Sequence, residues 1–412
     1  MSDTAPETAP AGSGAPPAPA RKPSLAALLT TCAVVNVGSI YLAQPLLPFI
    51  GDTLEAGTGA MSVVQGALQL AFGVGLVLFG ILADTSDRRK LLTVMAGGLL
   101  AAAAMAAAAP TYAAFLVASL GMGAFAAVLP VLIATAAAAG DTRALVGILS
   151  GAPAGVVAGR TLAGLLGEID WRLAFTLSAV AMATVLTLIR LRLAPQPPVG
   201  PRTAPWPALR EMASLTRLPG NVLINLSNSV AFLGWSSVWT MLSFQLKDEP
   251  LGLSAFQIGL VGLVGLGGAI TGQVGTRMQA SLGESGAART ALVVTAVAGL
   301  ALAVSGTTIW ALVIALFVHN TAVWVVQAVN IPGAARRAGD GKQARGAALV
   351  YLTNFICTAI GAVLGAVVWE SAGWAGIGVL AAGTAAVSLL LDLGGRAAWN
   401  RAVPVPATER SA

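Results

Sequence analysis

Apolar segments about 20 residues long recur along the whole chain, and this repetition is the strongest constraint on its fold. A helix needs roughly 20 apolar residues to cross the hydrocarbon core of a bilayer. The sequence therefore predicts an all-α integral membrane protein with twelve transmembrane helices. The predicted spans are 24–47, 61–83, 91–109, 112–138, 144–167, 172–193, 220–245, 255–279, 288–306, 308–332, 346–369 and 373–395.

The composition excludes an ordinary soluble protein. Of the 412 residues, 56% are hydrophobic and only 10% are charged, whereas about 25% are charged in an average soluble domain. A soluble protein with so few charges could not cover its surface with them. The apolar runs also extend over the whole chain, which excludes a soluble domain with a single membrane anchor.

Lysines and arginines predict the orientation, because they accumulate in cytoplasmic loops. With the N-terminus inside, 20 of these residues fall on the cytoplasmic side, and only Arg172 and Lys247 fall outside. An even number of spans then places both termini in the cytoplasm. The net charge of +6 reflects this topology, so we expect no nucleic-acid partner.

The chain is predicted to divide into two six-helix bundles, 24–193 and 220–395, joined by a proline-rich cytoplasmic linker at 194–219. Residues 1–23, rich in Ala, Pro, Gly and Ser, are expected to be a disordered cytoplasmic tail, and 396–412 a second cytoplasmic tail. The two bundles resemble each other. A shift of 199 residues aligns 140–147 with 339–346. Such repeats indicate a secondary transporter with its substrate between them near the bilayer midplane.

The loop after the second predicted span, GILADTSDRRK at 80–90, resembles the signature loop of the major facilitator superfamily. The resemblance implies the major facilitator fold and a cytoplasmic latch at this loop. Thr85 and Asp87 depart from the family pattern, and in the second half Thr276 replaces the acid, so the latch should be one-sided. The implied latch residues are Gly80, Asp84, Arg88, Arg89 and Lys90.

Two further segments resemble exporters of this superfamily. Four glycines at spacing four in the fifth span, Gly147, Gly151, Gly155 and Gly159, are similar to an antiporter signature. Their alternative role is close helix packing. The segment YLAQPLLP at 41–48 resembles bacterial arabinose-efflux and multidrug exporters. These resemblances imply an efflux antiporter and multi-pass location in the bacterial inner (plasma) membrane.

The resemblance also implies a cavity lined mainly by the first, fourth, seventh and tenth helices. At 100° per residue, the amides and aromatic residues of the seventh span share one face. Amides on that face would be costly against lipid, and aromatic rings mixed with amides suit an uncharged or weakly charged amphipathic molecule. The alternative is hydrogen bonding between helices. The candidate cavity residues are Asn36, Gln44, Gln65, Gln69, Met122, Phe125, Asn225, Asn228, Phe232, Trp235, Trp239, Asn320, Trp324 and Gln327.

Arg160 and His319 are the candidates for coupling transport to protons. Arg160 is the basic residue deep within a predicted span, where a charge usually marks function. Its alternative is to extend outward toward Glu168. His319 is the single histidine and could carry a proton, or it could be structural. No Asp or Glu lies in the middle of a predicted span, which argues against common forms of drug/proton antiport.

The sequence contains no nucleotide-binding loop, metal-ligand spacing or nucleophile–base set, so no enzymatic activity, cofactor or metal is expected. Cys32 and Cys357 are interpreted as small apolar residues. The expected function is secondary active export of a small organic molecule, coupled to protons, by a monomer in the bilayer. An importer would share these features. A sensor or membrane enzyme is a third alternative.

Overall fold

The computed structural model describes residues 25–196 and 205–402. The expected tail at 1–23 lies outside the described residues, as do 197–204 of the linker and 403–412 of the second tail. The described chain is helical and forms a bundle whose order follows the predicted spans.

The first half contains eight helices that make up six predicted spans. Prolines divide the first and fourth spans, because proline lacks the N–H that continues a helix. Pro45 lies in a short 3₁₀ turn at Gln44–Leu46, and Pro130 lies at the start of a new helix. The helices are α1 Leu25–Ile40, α2 Leu47–Thr53, α3 Thr58–Thr85, α4 Arg88–Ala107, α5 Tyr112–Ala126, α6 Leu129–Ala138, α7 Thr142–Gly167 and α8 Trp171–Arg192.

The linker contributes a short helix, and the second half contains five helices. Two of the latter bend at glycines with positive φ, Gly283 (φ 69°) and Gly373 (φ 57°), a conformation that glycine tolerates. Each bend separates two predicted spans. A 3₁₀ segment, Gly262–Ile270, joins the second and third helices of this half. The helices are α9 Pro205–Ser214, α10 Asn221–Lys247, α11 Ala255–Val261, α12 Thr271–Val304, α13 Ile309–Ala338 and α14 Gln343–Ala402.

Within 25–196 and 205–402, nine continuous helical stretches are long and apolar enough to cross a membrane. Two of them bend at Gly283 and Gly373 and so contain two predicted spans each. The seventh span, α10, has 27 residues, enough to cross a bilayer, but it is too polar to be counted among the nine. The helices are therefore consistent with twelve spans.

The two halves meet along α3 and α14. A β-carbon at Gly66 would lie 2.9 Å from the carbonyl oxygen of Ala359, and Gly73 lies directly against Phe355. The rings of Phe72 and Phe355 pack edge to face with centroids 5.0 Å apart. Only the absence of side chains at the glycines allows this approach, and we call this contact the α3–α14 seam.

A second contact between the halves lies at the end predicted to face outward. A β-carbon at Gly164 of α7 would lie 2.7 Å from Cα of Gly259 in α11. Nearby, the backbone N–H of Phe256 donates to Glu168 Oε1 over 2.6 Å. We call this contact the outer seam. Further along the eighth span, a β-carbon built at Gly268 would meet no atom within 4 Å other than those of its own turn of helix. The space beside Gly268 is therefore open.

Candidate substrate site

The centre of the site is a hydrogen-bonded contact between α10 and α13. Trp235 and Trp239 lie one turn apart on α10, and their indole N–H groups donate to Asn320 Oδ1 over 2.9 and 3.1 Å. All three side chains are buried. The amide nitrogen of Asn320 has no partner within the described part of the chain. The structure therefore brings together three of the predicted cavity residues.

Aromatic rings continue from this contact. The ring centroids of Trp235 lie 6.2 Å from Trp239, 6.0 Å from Trp324 and 5.6 Å from Phe232. Phe232 and Trp324 pack edge to face at 5.4 Å, a favoured arrangement for aromatic pairs. These four residues, three on α10 and Trp324 on α13, form a continuous row of rings, and we call it the aromatic row.

An amide network connects α10, α13 and α14. Asn228 Nδ2 donates to Asn354 Oδ1 over 2.7 Å, and Asn354 Nδ2 donates to Gln327 Oε1 over 2.8 Å. Ser229 Oγ donates to Asn354 Oδ1 over 2.9 Å. Asn354 was not among the predicted residues because it lies on the eleventh span, outside the helices that the resemblance implied. An amide in an apolar run was the signal that could have identified it.

Several other predicted cavity amides are buried without partners. Both polar atoms of Gln65 and Asn225 lack hydrogen bonds among the described residues, as do Asn36 Oδ1 and Gln69 Oε1. Asn36 instead donates to Cys32 O of its own helix over 2.7 Å. Buried polar groups in proteins nearly always have a partner, which can be water or a ligand. These amides are therefore candidates for contact with a hydrated or substrate-filled interior.

Arg160 of α7 bridges the two halves near the outer seam. Its Nε donates to Gln44 Oε1 over 2.8 Å. The guanidinium carbon lies 3.7 Å from the ring centroid of Trp239 and 4.9 Å from that of Tyr41. The side chain is buried, and Nη2 has no partner in the described residues.

Arg160 does not extend to Glu168, which was the alternative to a functional role. Glu168 accepts hydrogen bonds from the Ser254 side chain and the Phe256 backbone, and these lower the pKa of its carboxyl group. A cavity of about 20 Å³ lies beside Arg160, which is room for roughly one water. Its lining residues are Gln44, Pro45, Arg160, Trp239, Leu242, Ser243, Ile258 and Gly262.

The two predicted cavity residues of the fourth span, Phe125 and Met122, lie outside the contact of Asn320 with the two tryptophans. Phe125 occupies the space beside Gly98, where a β-carbon would approach its ring to 2.5 Å. Its ring lies 6.3 Å from that of Phe79. Both neighbours belong to the first half, and the role of Phe125 in lining the cavity stays a prediction. Met122 is fully buried in the apolar core.

His319 and Arg160 are not brought into contact. His319 lies on the same face of α13 as Leu312, Leu316 and Val323, and all four side chains are fully buried. Neither ring nitrogen of His319 has a hydrogen-bond partner in the described chain. Arg160 contacts Gln44 and two aromatic rings instead. The two candidates for proton coupling therefore do not act on each other through a contact in this conformation.

The predicted latch residues are adjacent but do not form an Asp84–Arg88 ion pair. Asp84 is exposed, and Arg88 Nε donates to Ala83 O over 3.2 Å. Arg89 Nη2 donates to Arg190 O over 2.7 Å. Lys90 provides the backbone N–H that Asp87 accepts at the start of α4, so the departure at 87 acts as a helix cap. Gly80 lies beside Pro130, and a β-carbon built at Gly80 would lie 3.6 Å from Cβ of Pro130.

The four glycines of the fifth span face α1. Gly155 lies against Val34 and Gly38, and Gly159 lies against Gly38. Gly147 lies against Thr30, and Gly151 lies against both Thr30 and Val34. The ridge therefore packs within the first half. The contact of this span with the eighth span runs instead through Gly164 and Arg160.

The second half contains an unpredicted ion cluster at the end that the sequence predicts to face the cytoplasm. Asp392 is fully buried and accepts from Arg289 over 3.1 Å and Arg396 over 2.7 Å. Glu284 pairs with Arg337 and Arg396, each over 3.0 Å, and also with Arg336. The cluster joins α12, α13 and α14. Thr276 stands where the loop of the first half has its acid, Asp84. The acids of this cluster therefore come from other segments.

Comparison with known proteins identifies relatives over most of the chain. The sequence profile described as Major Facilitator Superfamily matches residues 29–226. The uncharacterized transporter YgaY of Escherichia coli is 30% identical over 396 residues, which cover 90% of this chain and 95% of that protein. A probable transporter of Streptomyces coelicolor is 28% identical over 268 residues, 59% of this chain and 58% of its own length.

Solved structures show the same fold. A mutant of the nucleoside transporter NupG has a TM-score of 0.74 at 14% identity, with 91% of this chain and 100% of that chain covered. A bacterial homologue of the human lysosomal transporter Spinster has a TM-score of 0.73 at 13% identity, with 93% and 98% covered. The similarity to YgaY extends over nearly the whole length of both chains. The chain therefore belongs to the major facilitator superfamily and is a multi-pass membrane transporter of that type.

Proposed function

We propose that the chain is a secondary active transporter that exports a small amphipathic organic molecule across the bacterial inner membrane by alternating access. The observation that carries this proposal is the contact of the aromatic row with Asn320. Aromatic surface with a few placed amides is typical of sites for small organic ligands. Unpartnered amides in both halves, Gln65 and Asn225, extend the polar surface.

The conformation supports alternating access. The halves touch at the outer seam, and Lys247 of the second half pairs with Asp52 of the first. Opening of this end would break the outer seam and free Arg160 from Trp239. The exporter direction is supported by the glycine pattern of the fifth span, and uptake is the alternative. The coupling ion is proposed to be the proton, with Glu168 or Asp170 as carrier, because His319 is enclosed on the buried apolar face of α13.

Transport of a labelled compound panel in everted membrane vesicles, with and without an imposed pH gradient, tests the proposal. We expect accumulation of at least one amphipathic compound that depends on the chain and on the gradient. Trp235→Leu should abolish it. Val297→Ala, on an exposed face of α12 at 62% exposure, is the matched control. Uptake into right-side-out vesicles instead would establish the importer, and no chain-dependent flux in either direction would contradict transport of this class.

A further inference from the structure

The surroundings of Arg160 carry an inference about the charge of the substrate. Arg160 is 3% exposed, and no Asp or Glu among residues 25–196 and 205–402 forms an ion pair with it. Arginine stays charged in proteins. A buried charge ordinarily has a counter-charge, so a negative charge is missing from this site.

The contacts that Arg160 does make leave a defined edge free. Trp239 and Tyr41 interact with the guanidinium through their rings, and Gln44 occupies Nε. Nη2 is buried and unpartnered. A guanidinium binds carboxylates through its planar N–H groups, and here at least one of these is held in place without an acceptor.

We propose that Arg160 binds the acid group of the substrate, which is a small organic monoanion of carboxylate type. This proposal rests on the proposed transport function and narrows its substrate class. Trp239 joins the acid-binding edge to the aromatic row, so the apolar or aromatic body of the same molecule lies along Trp235, Trp324 and Phe232. One uncompensated positive charge matches one negative charge, so a monoanion fits better than a dianion.

The other polar side chains at Arg160 are uncharged. Gln44 presents its oxygen to Nε, while Ser243 lies at the cavity beside the arginine. Glu168, the carboxylate eight residues away on the chain, is engaged by Phe256 at the outer seam. An incoming carboxylate therefore meets no competing acid at Arg160.

Thermal unfolding of the purified full-length chain tests the inference with benzoate, its uncharged isostere benzamide, and the dianion phthalate. We expect benzoate at millimolar concentration to raise the melting temperature by several degrees more than benzamide or phthalate. Arg160→Gln should abolish the difference, and Arg160→Lys, which keeps the charge without the planar fork, should reduce it. Arg172→Gln is the matched control, because Arg172 also stacks on a tryptophan but pairs with Asp170.

A second variant tests the missing charge without a ligand. Gln44→Glu places a carboxylate where Gln44 now accepts from Nε, so it should raise the melting temperature in wild type, lower it in Arg160→Gln, and remove the response to benzoate. The inference is overturned if Gln44→Glu destabilises both backgrounds, or if wild type responds equally to benzoate and benzamide. Chain-dependent flux of benzamide but not benzoate in proteoliposomes would leave the transport function intact while refuting the anion. Absence of flux together with an Arg160-dependent benzoate response would refute the transport function while leaving anion binding at Arg160 intact.

Discussion

Closure of the outer end depends on the small size of Gly164, and Gly164→Ala tests this dependence with one added carbon. The new methyl group would lie 2.6 Å from the carbonyl oxygen of Ala255 and 2.7 Å from Cα of Gly259. Ordinary contact begins at 3.4 Å, so α7 and α11 would have to separate by about 0.8 Å. Both obstacles are backbone atoms, which cannot rotate away.

The cost can be estimated from overpacked cores. Inserting a methyl group into a packed interior costs about 1–3 kcal/mol. Each 1.4 kcal/mol is a factor of ten in an equilibrium constant. The population of the outer-closed conformation should therefore fall roughly 5- to 150-fold relative to the open one. Gly97→Ala in α4 is the matched control, because no atom lies within 4 Å of its β-carbon. Both changes raise helix propensity equally.

Crosslinking of Asp52→Cys with Lys247→Cys by a bifunctional thiol reagent as long as the lysine side chain provides the assay, since these residues pair across the outer end. The background is Cys32→Ala with Cys357→Ala, which removes the native thiols. We expect efficient crosslinking in this background and with Gly97→Ala, and a strongly reduced rate with Gly164→Ala. Equal crosslinking in both glycine variants would refute the reasoning that this contact controls closure.

The remaining predictions concern charge and amide pairing. Glu168 has a lowered pKa because Ser254 and Phe256 donate hydrogen bonds to its charged form. Its stabilisation of the outer seam should therefore persist as the pH falls from neutral through the usual carboxyl range. It should be lost only as the pH falls through the lowered pKa. The difference in melting temperature between wild type and Glu168→Gln, measured against pH, checks this, and a transition at an ordinary glutamate pKa would contradict it. Asn354→Leu should leave Asn228 and Gln327 without amide partners and lower stability by about 1–3 kcal/mol per lost bond; an unchanged melting temperature would show that the network is dispensable. Asp84→Asn should reduce transport severely at normal expression if the latch forms in the opposite conformation. Wild-type transport rates in this variant would refute the latch role of the loop. His319→Gln should retain pH-dependent accumulation because the ring lies in the apolar core, so loss of that dependence would restore its coupling role.

The positions of the spans could be predicted because bilayer thickness imposes one length on every apolar run. The breaks within spans are less predictable: Pro45 and Pro130 interrupt helices, whereas Pro153 and Pro332 lie inside continuous ones. Proline removes a donor in all four cases, and tertiary packing decides whether the helix ends.

The candidate site was partly readable for a similar reason. The α10 members of the aromatic row could be assigned to one face because helical periodicity is local. Pairing between helices is not local, so the partner of Asn228 on α14 could not be derived from the spacing of α10. Arg160 was identified as unusual from its burial in an apolar run, but its contact with Trp239 depends on how the two halves meet. The packing of Phe125 against Gly98 could not be derived either, because the space at Gly98 is a property of a neighbouring helix.

The α3–α14 seam has a consequence for how hydrophobic molecules enter. Gly66 and Gly73 bring the two helices into close contact over about two turns, with Phe72 and Phe355 between them, so this flank offers no lateral passage from the bilayer. On the opposite flank, the halves touch at Gly164 and again where Gly262 and Gly265 lie against Arg160, and the space at Gly268 beyond these contacts is open. A molecule that reaches the interior directly from the bilayer would therefore do so between the fifth and eighth spans rather than through the α3–α14 seam.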